Sequence, residues 1–151
     1  MSRYTIKPAT FEDFDWLAKK TGCTLTTDFN AIKAIDATGK IHGMVGYCDW
    51  TQNSVRMHIA VESPIAWRAM LRPGLEYPFC QVGVGMIVGV IRGGNAKSLR
   101  FAGAVGLKEI FRLKDGARAG EDIVFMQLLK EDCRYLLGNE SHWAPEHRRA
   151  A

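Results

Sequence analysis

Residues 82–92, VGVGMIVGVIR, run through eleven positions without a charge until the final arginine. A strand with no polar face has to be covered on both sides, so the run calls for a layered α/β architecture with helices against a sheet. Gly93 and Gly94 break the run. Asn95 then opens a helical stretch, residues 95–105, with Leu99, Ala102 and Val105 on one side and Gly106 at its end. A short amide at this point serves as an N-cap for the backbone N–H of Lys97 or Ser98. The first N–H groups of a helix lack intrahelical acceptors and favour negative charge, so the same amide also stands where a ligand lying along the strand end would meet it.

The rest of the chain frames that crossing. Residues 4–8 alternate as an edge strand ending in Pro8, and Thr10 caps a helix through Lys20 that Gly22 stops. Residues 28–35, 41–50 and 54–62 read as an antiparallel meander joined by DATGK and TQN turns. Pro64 opens a helix with Trp67, Met70 and Leu71 at core spacing; Pro73-Gly74 is expected to end or kink it, with a second short helical piece over 75–79. Residues 107–113 and 123–129 supply two last strands, and the polar stretch 137–151 reads as a mobile tail behind one domain over 1–136.

With 47% apolar and 24% charged residues in 151, the chain is of ordinary soluble composition and is long enough for one sizeable core. No apolar stretch is long enough for a membrane-spanning helix, and the N-terminus lacks a basic-then-apolar signal pattern, so a cytoplasmic location is expected. Cys23, Cys48, Cys80 and Cys133 are widely spaced, which reads as reduced thiols and no metal site. The net charge of +4 favours an anionic ligand; seven basic residues stand against two acidic ones between Arg92 and Arg118.

The order strand–N-x-x-S–helix–G-Leu–strand, carried by Asn95, Ser98, Gly106 and Leu107, resembles the C-terminal half of the GNAT superfamily of N-acetyltransferases. EYPF (76–79), SLRF (98–101) and GEDIVFMQLLKEDCRYL (120–136) look like a bacterial and phage-type subgroup. The resemblance spans about residues 3 to 136. It implies an α/β (α+β) fold: a mixed, mostly antiparallel sheet of about seven strands flanked by helices, with a splayed parallel pair in its centre. It also implies acetyl-CoA as cofactor, with coenzyme A as product, and direct transfer of the acetyl group to an amine acceptor in a ternary complex.

Carried over by position, Ala60 and Val61 supply backbone contacts to the pantetheine arm, as an added strand would. Asn95 meets the pantetheine, and Ser98 and Phe101 lie beside it. The usual [QR]-x-x-G-x-[GA] phosphate loop is replaced here by VESPIAWRAML, so Ser63 at the helix start and the Arg68 side chain become the phosphate candidates. Ala102 stands where many members keep a tyrosine that returns a proton to the thiolate. His58 and Glu62, four residues apart on one strand face, are the candidates for general base. The expected partners are acetyl-CoA and an unidentified amine, small molecule or protein. No membrane and no nucleic acid are expected, since the interleaved exposed aromatics of single-strand binders are missing, and homodimerisation is left open. The alternative is a GNAT-fold protein without transferase activity that binds a partner protein or acyl-CoA.

Overall fold

The computed structural model describes residues 3–136; the expected tail at 137–151 lies outside them. In chain order the elements are β1 (Thr5–Pro8), a 3-10 turn (Phe11–Asp13), α1 (Phe14–Thr21), β2 (Asn30–Ile35), β3 (Ile41–Cys48) and β4 (Ser54–Val61). There follow α2 (Pro64–Glu76), a π-helical turn (Tyr77–Val82), β5 (Met86–Arg92), α3 (Ala96–Val105), β6 (Lys108–Arg118) and β7 (Glu121–Leu129). The strands form one seven-stranded sheet in the order β1-β2-β3-β4-β5-β7-β6. Neighbours are antiparallel except the central pair, β4 and β5, which run parallel. The expected mixed sheet is the one observed.

Strand alternation sends side chains to two cores. On one face Val45, Tyr47, Val55 and Ile87 pack with Met70 and Leu75 of α2 and with Ala102 and Val105 of α3. On the other, Met44, Cys48 and Ala31 pack with Leu17 of α1 and with Phe29. Burying Leu17 completely contributes about 2 kcal/mol of transfer free energy. Its seat depends on Gly46 in β3, where an added Cβ would stand 2.5 Å from Leu17 Cδ2 and closer still to the Phe29 ring.

Several boundaries differ from the sequence expectation, each for a local reason. The helix expected from Thr10 begins as a 3-10 turn, because the Thr10 N–H donates to Asp13 Oδ2 at 2.8 Å; the α-helix starts at Phe14. β2 begins at Asn30 rather than at residue 28, since the Asp28 carboxylate accepts the backbone N–H groups of Asp49 and Trp50. Asp49 has φ 53°, which ends β3 at Cys48 rather than at residue 50.

Pro73-Gly74 does not end α2. The helix runs on to Glu76 with Leu75 buried, and the Gly74 carbonyl, which Pro78 four residues on has no N–H to meet, accepts the Tyr47 hydroxyl at 2.6 Å. The disturbance appears one turn later, where residues 77–82 form a π-helical turn in place of the expected second helical piece. β5 therefore starts at Met86, not at residue 82. Only Ile87 and Gly89 are buried in it, while Met86, Val88 and Val90 are half-buried. β6 and β7 are longer than expected, reaching Arg118 and starting at Glu121, and β6 is exposed along nearly its whole length.

Candidate active site

β4 and β5 hold register over three residue pairs, from Ser54↔Met86 to Arg56↔Val88. Beyond Arg56 the two strands part, and among the described residues the edge of Met57–Val61 that faces β5 has no ladder partner. The opening is a cleft of about 310 Å³ that passes through the sheet. It accounts for the half-buried face of β5.

Parity divides the cleft into two chambers. Met57 and Ile59 share the α3 side with Phe101, Ala102, Val105 and Leu107, which makes an apolar wall. His58, Ala60, Val88 and Val90 face the α1 side, together with Lys20 and Thr21 from the last turn of α1 and Arg92 from the end of β5. A larger cavity of about 380 Å³ lies between β2 and the end of α2, beside Asn30 and Tyr77, and contains none of the sequence-predicted site residues.

The sequence-predicted residues fall into two groups. His58, Ala60, Asn95, Ser98 and Phe101 line the cleft. Asn95 is the N-cap of α3, with Oδ1 accepting the Ser98 N–H at 3.1 Å, and Phe101 meets Trp67 with ring centroids 4.4 Å apart and planes tilted by 54°. Ala102, at the position of the family's tyrosine, also lines the cleft; the hydroxyls that do so are Ser98 and Thr21. Glu62, Val61, Ser63 and Arg68 lie outside this lining.

Ser63 caps α2, accepting the Ala66 N–H at 3.1 Å, and its carbonyl accepts the Trp67 N–H. Pro64 begins the helix as expected and has no N–H. Ile65 is then the first-turn donor with no acceptor among the described residues, a much thinner set than a glycine-built phosphate cradle. Arg68 is exposed on α2.

Glu62 is exposed just after β4, with Oε2 3.3 Å from Lys20 Nζ and Oε1 3.4 Å from His42 Nδ1. His42 Nε2 is 2.7 Å from Asp36 Oδ2. Hydrogen bonds from Thr38 and His42 hold the Asp36 carboxyl well below the ordinary range. His58 has the opposite setting. Burial first, and then the Arg56 guanidinium, push its imidazole down to about 4 against the pull of Asp49. Its Nε2 lies 3.4 Å from Cys48 Sγ. Burial and then Asp49 raise the Cys48 thiol to about 11, so the pair is a neutral thiol beside a neutral imidazole. The contact ties the ring tautomer of His58 to the thiol, and the imidazole remains an acceptor at neutral pH.

Lys20, Thr21, Arg92 and Cys48 were not among the site residues read from the sequence. The signals were thin: a Lys-Lys-Thr end to α1 before Gly22, and a single arginine closing an apolar run.

No family model and no curated protein sequence matches this chain. Solved structures do. Spermidine N-acetyltransferase from Vibrio cholerae in complex with CoA and spermine superimposes with a TM-score of 0.70 at 14% identity, over 89% of this chain and 98% of that one. The chain has the GNAT fold. The manganese complex of the Vibrio cholerae spermidine/spermine enzyme gives a TM-score of 0.67 at 14% identity, over 84% and 92% of the two chains. A dodecameric structure of the Vibrio cholerae spermidine enzyme in an intermediate state gives 0.69 at 14%, over 92% and 98%. In this GNAT-fold chain no described group of three or more His, Cys, Asp and Glu side chains is placed to hold a metal ion. No described helix is long and apolar enough to cross a membrane.

Proposed function

We propose that the chain is an N-acetyltransferase that moves the acetyl group of acetyl-CoA to an amine by direct transfer in a ternary complex. The observation that carries this reading is the parting of β4 from β5 after Arg56↔Val88, which leaves an unpaired strand edge along an apolar chamber. Such an edge takes an extended amide-bearing arm as it would take another strand. On this reading Ala60 and Val61 hold the pantetheine through their backbone, Phe101 and Ser98 flank it, and the free –NH2 of the Asn95 amide donates to it. Ser63 and Ile65 at the start of α2, with Arg68, attend the phosphates.

Acetyl-CoA supplies an activated thioester. The acceptor nitrogen forms a bond to the acetyl carbon, the carbon–sulfur bond breaks, and the proton lost from nitrogen ends on solvent or on the thiolate. His58, on the α1 side, accepts the hydrogen bond of the incoming amine and orients its lone pair; its low basicity suits positioning more than proton storage. Glu62, outside the cleft lining, acts from the rim through Lys20. The structurally similar enzymes act on spermidine, and the same broad chemistry, transfer to an amine, is the reading adopted here.

Two results test it. Acetyl-CoA at one hundred times its dissociation constant is expected to stabilise the fold by about 2.7 kcal/mol. An unchanged melting temperature at millimolar acetyl-CoA would remove the proposal. Asn95→Ser keeps the α3 cap, so the free protein should melt within about 2 °C of the parent, since serine caps about as well. Acetyl-CoA affinity, measured by calorimetry, is expected to fall several-fold; equal affinities would leave Asn95 as a cap alone. Ala102, in place of a tyrosine, favours a second reading, an acyl-CoA-binding protein without transfer. Binding without coenzyme A release over a broad amine panel would establish it.

A further inference from the structure

The α1-side chamber of the cleft is cationic. Among its lining residues Lys20 and Arg92 carry charge, and no aspartate or glutamate lines the cleft anywhere. Their carboxylate partners stand behind them. Glu62 meets Lys20 from the rim, and its second oxygen faces His42. Glu121 receives Arg92 at 2.6 Å, and its same oxygen accepts Arg118 at 3.1 Å while the other takes the Gly94 N–H, so one carboxylate is shared by two guanidinium groups. One strand step back on the same face, Arg56 buries an Nε–H that has no acceptor among the described residues. His58, two residues along β4 from Arg56, is an uncharged imidazole, and the Asp49 carboxylate that pulls against Arg56 lies 3.8 Å from Arg56 Nη1. Lys20 has three donors and one carboxylate within reach, which leaves N–H groups for a further anion.

Parity decides which ligand these charges serve. The apolar chamber, Phe101 and the start of α3 lie on the opposite side of the sheet from Lys20. A cofactor arm lying there leaves the cationic chamber to the acceptor. From this arrangement we infer that the acceptor is an amine that also carries a carboxylate, seated on Lys20 with its nitrogen toward His58. The inference rests on the transferase reading. A polycationic amine would bring a second and third positive charge against a lining that holds two cations and no carboxylate, the nearest carboxylates being already engaged with Lys20 and Arg92. The same positive field lowers the pKa of the bound amine and favours its neutral, nucleophilic form.

The test uses amino carboxylates of increasing length, each paired with its carboxamide, which keeps the shape and removes the charge. Spermidine is the polycationic arm. Acetyl-CoA binding is first established by melting shift on the same preparation, so failure there removes the transferase reading itself. With binding established, coenzyme A release is expected to be fastest for one of the carboxylates, at least tenfold above its amide and above spermidine in kcat/KM. Lys20→Ala should raise the KM of that carboxylate about tenfold while leaving the KM of its amide unchanged, and the difference should shrink as salt screens it. Glu62→Gln, which releases the Lys20 ammonium, should lower the carboxylate's KM. Three results would each overturn the inference: spermidine or an amide as the best acceptor, no member of the panel accepted, or equal effects of Lys20→Ala on both members of a pair. The last would mean that Lys20 merely holds α1 against β4.

Discussion

Replacing Gly46 by valine is expected to cost the fold about 3 kcal/mol or more and to lower its melting temperature by roughly 10 °C. The new side chain would have to occupy space already filled by Leu17 Cδ2, 2.5 Å from the added Cβ, and by the Phe29 ring. Neither neighbour is the free end of a flexible chain, since Leu17 is fully buried and Phe29 is 7% exposed. Relief requires α1 to lift off the sheet, and α1 carries Lys20 and Thr21 into the cleft. The substitution should therefore weaken acceptor turnover even in the folded fraction. Gly103→Ala is the control: nothing lies within 4 Å of its added Cβ, and alanine in a helix is worth about 0.5–1 kcal/mol over glycine. Thermal denaturation followed by circular dichroism separates the two. A Gly46→Val protein as stable as the parent would show that α1 does not need its present seat.

His58→Asn is expected to reduce kcat/KM about 100-fold, the order of loss when a reacting group is left out of position. Its pH signature is unusual. Because the folded imidazole titrates at about 4, the rate profile between pH 5 and 9 should contain no limb from His58 and should follow the deprotonation of the acceptor amine instead. Stability carries the complementary sign. The folded pKa lies below the unfolded one of about 6.5, so the unfolded state takes up the proton first as the solution is acidified. The parent should then lose about 3 kcal/mol between pH 6.5 and 4, with no further loss from this residue below 4. His58→Asn should flatten that interval. The acid loss from the depressed carboxyls Asp13, Asp28 and Asp36 begins lower, as pH falls below their unfolded values, and should survive the substitution. Urea titrations at half-unit pH steps read both effects. An unchanged slope in the variant would mean that His58 is solvated and free to titrate.

Much of the sheet was legible because its determinants are local. The meander of β2 to β4, the apolar run of β5 and the Asn95 cap each follow from a period of two, a turn or a short amide. The run of α2 past Pro73 was not legible, because it depends on the burial of Leu75 and on Tyr47, twenty-seven positions before Gly74, which gives the Gly74 carbonyl the donor that Pro78 lacks. The start of β5 went with it, since Val84 donates its N–H to the Pro78 carbonyl and not to the ladder. In the cleft, parity along β4 and the capping rule placed His58 and Asn95 from sequence and the family resemblance placed Ala60, while Glu62, of the same parity as His58, stands outside the lining. Lys20 and Arg92 reach it from separate elements, and their convergence exists only once α1 is docked on Gly46. The absence of glycine between Val61 and Gly74 was plain in the chain. That Ser63 and Pro64 then consume or remove most of the first-turn donors depended on the cap geometry.

The three residue pairs that join β4 to β5 are the whole of the ladder between two plates, β1–β4 and β5–β7. α2 packs on the first plate and α3 on the second, and Trp67 meets Phe101 where the two helices adjoin. Bending about this short seam changes the width of the opening without breaking a hydrogen bond inside either plate. One apolar core, from Val45 and Val55 through Ile87 to Val124 and Leu128, continues beneath both plates, so the seam is held by packing as well as by its short ladder. A molecule lodged across the gap ties plate to plate along a line well beyond the seam, where it has the longest lever.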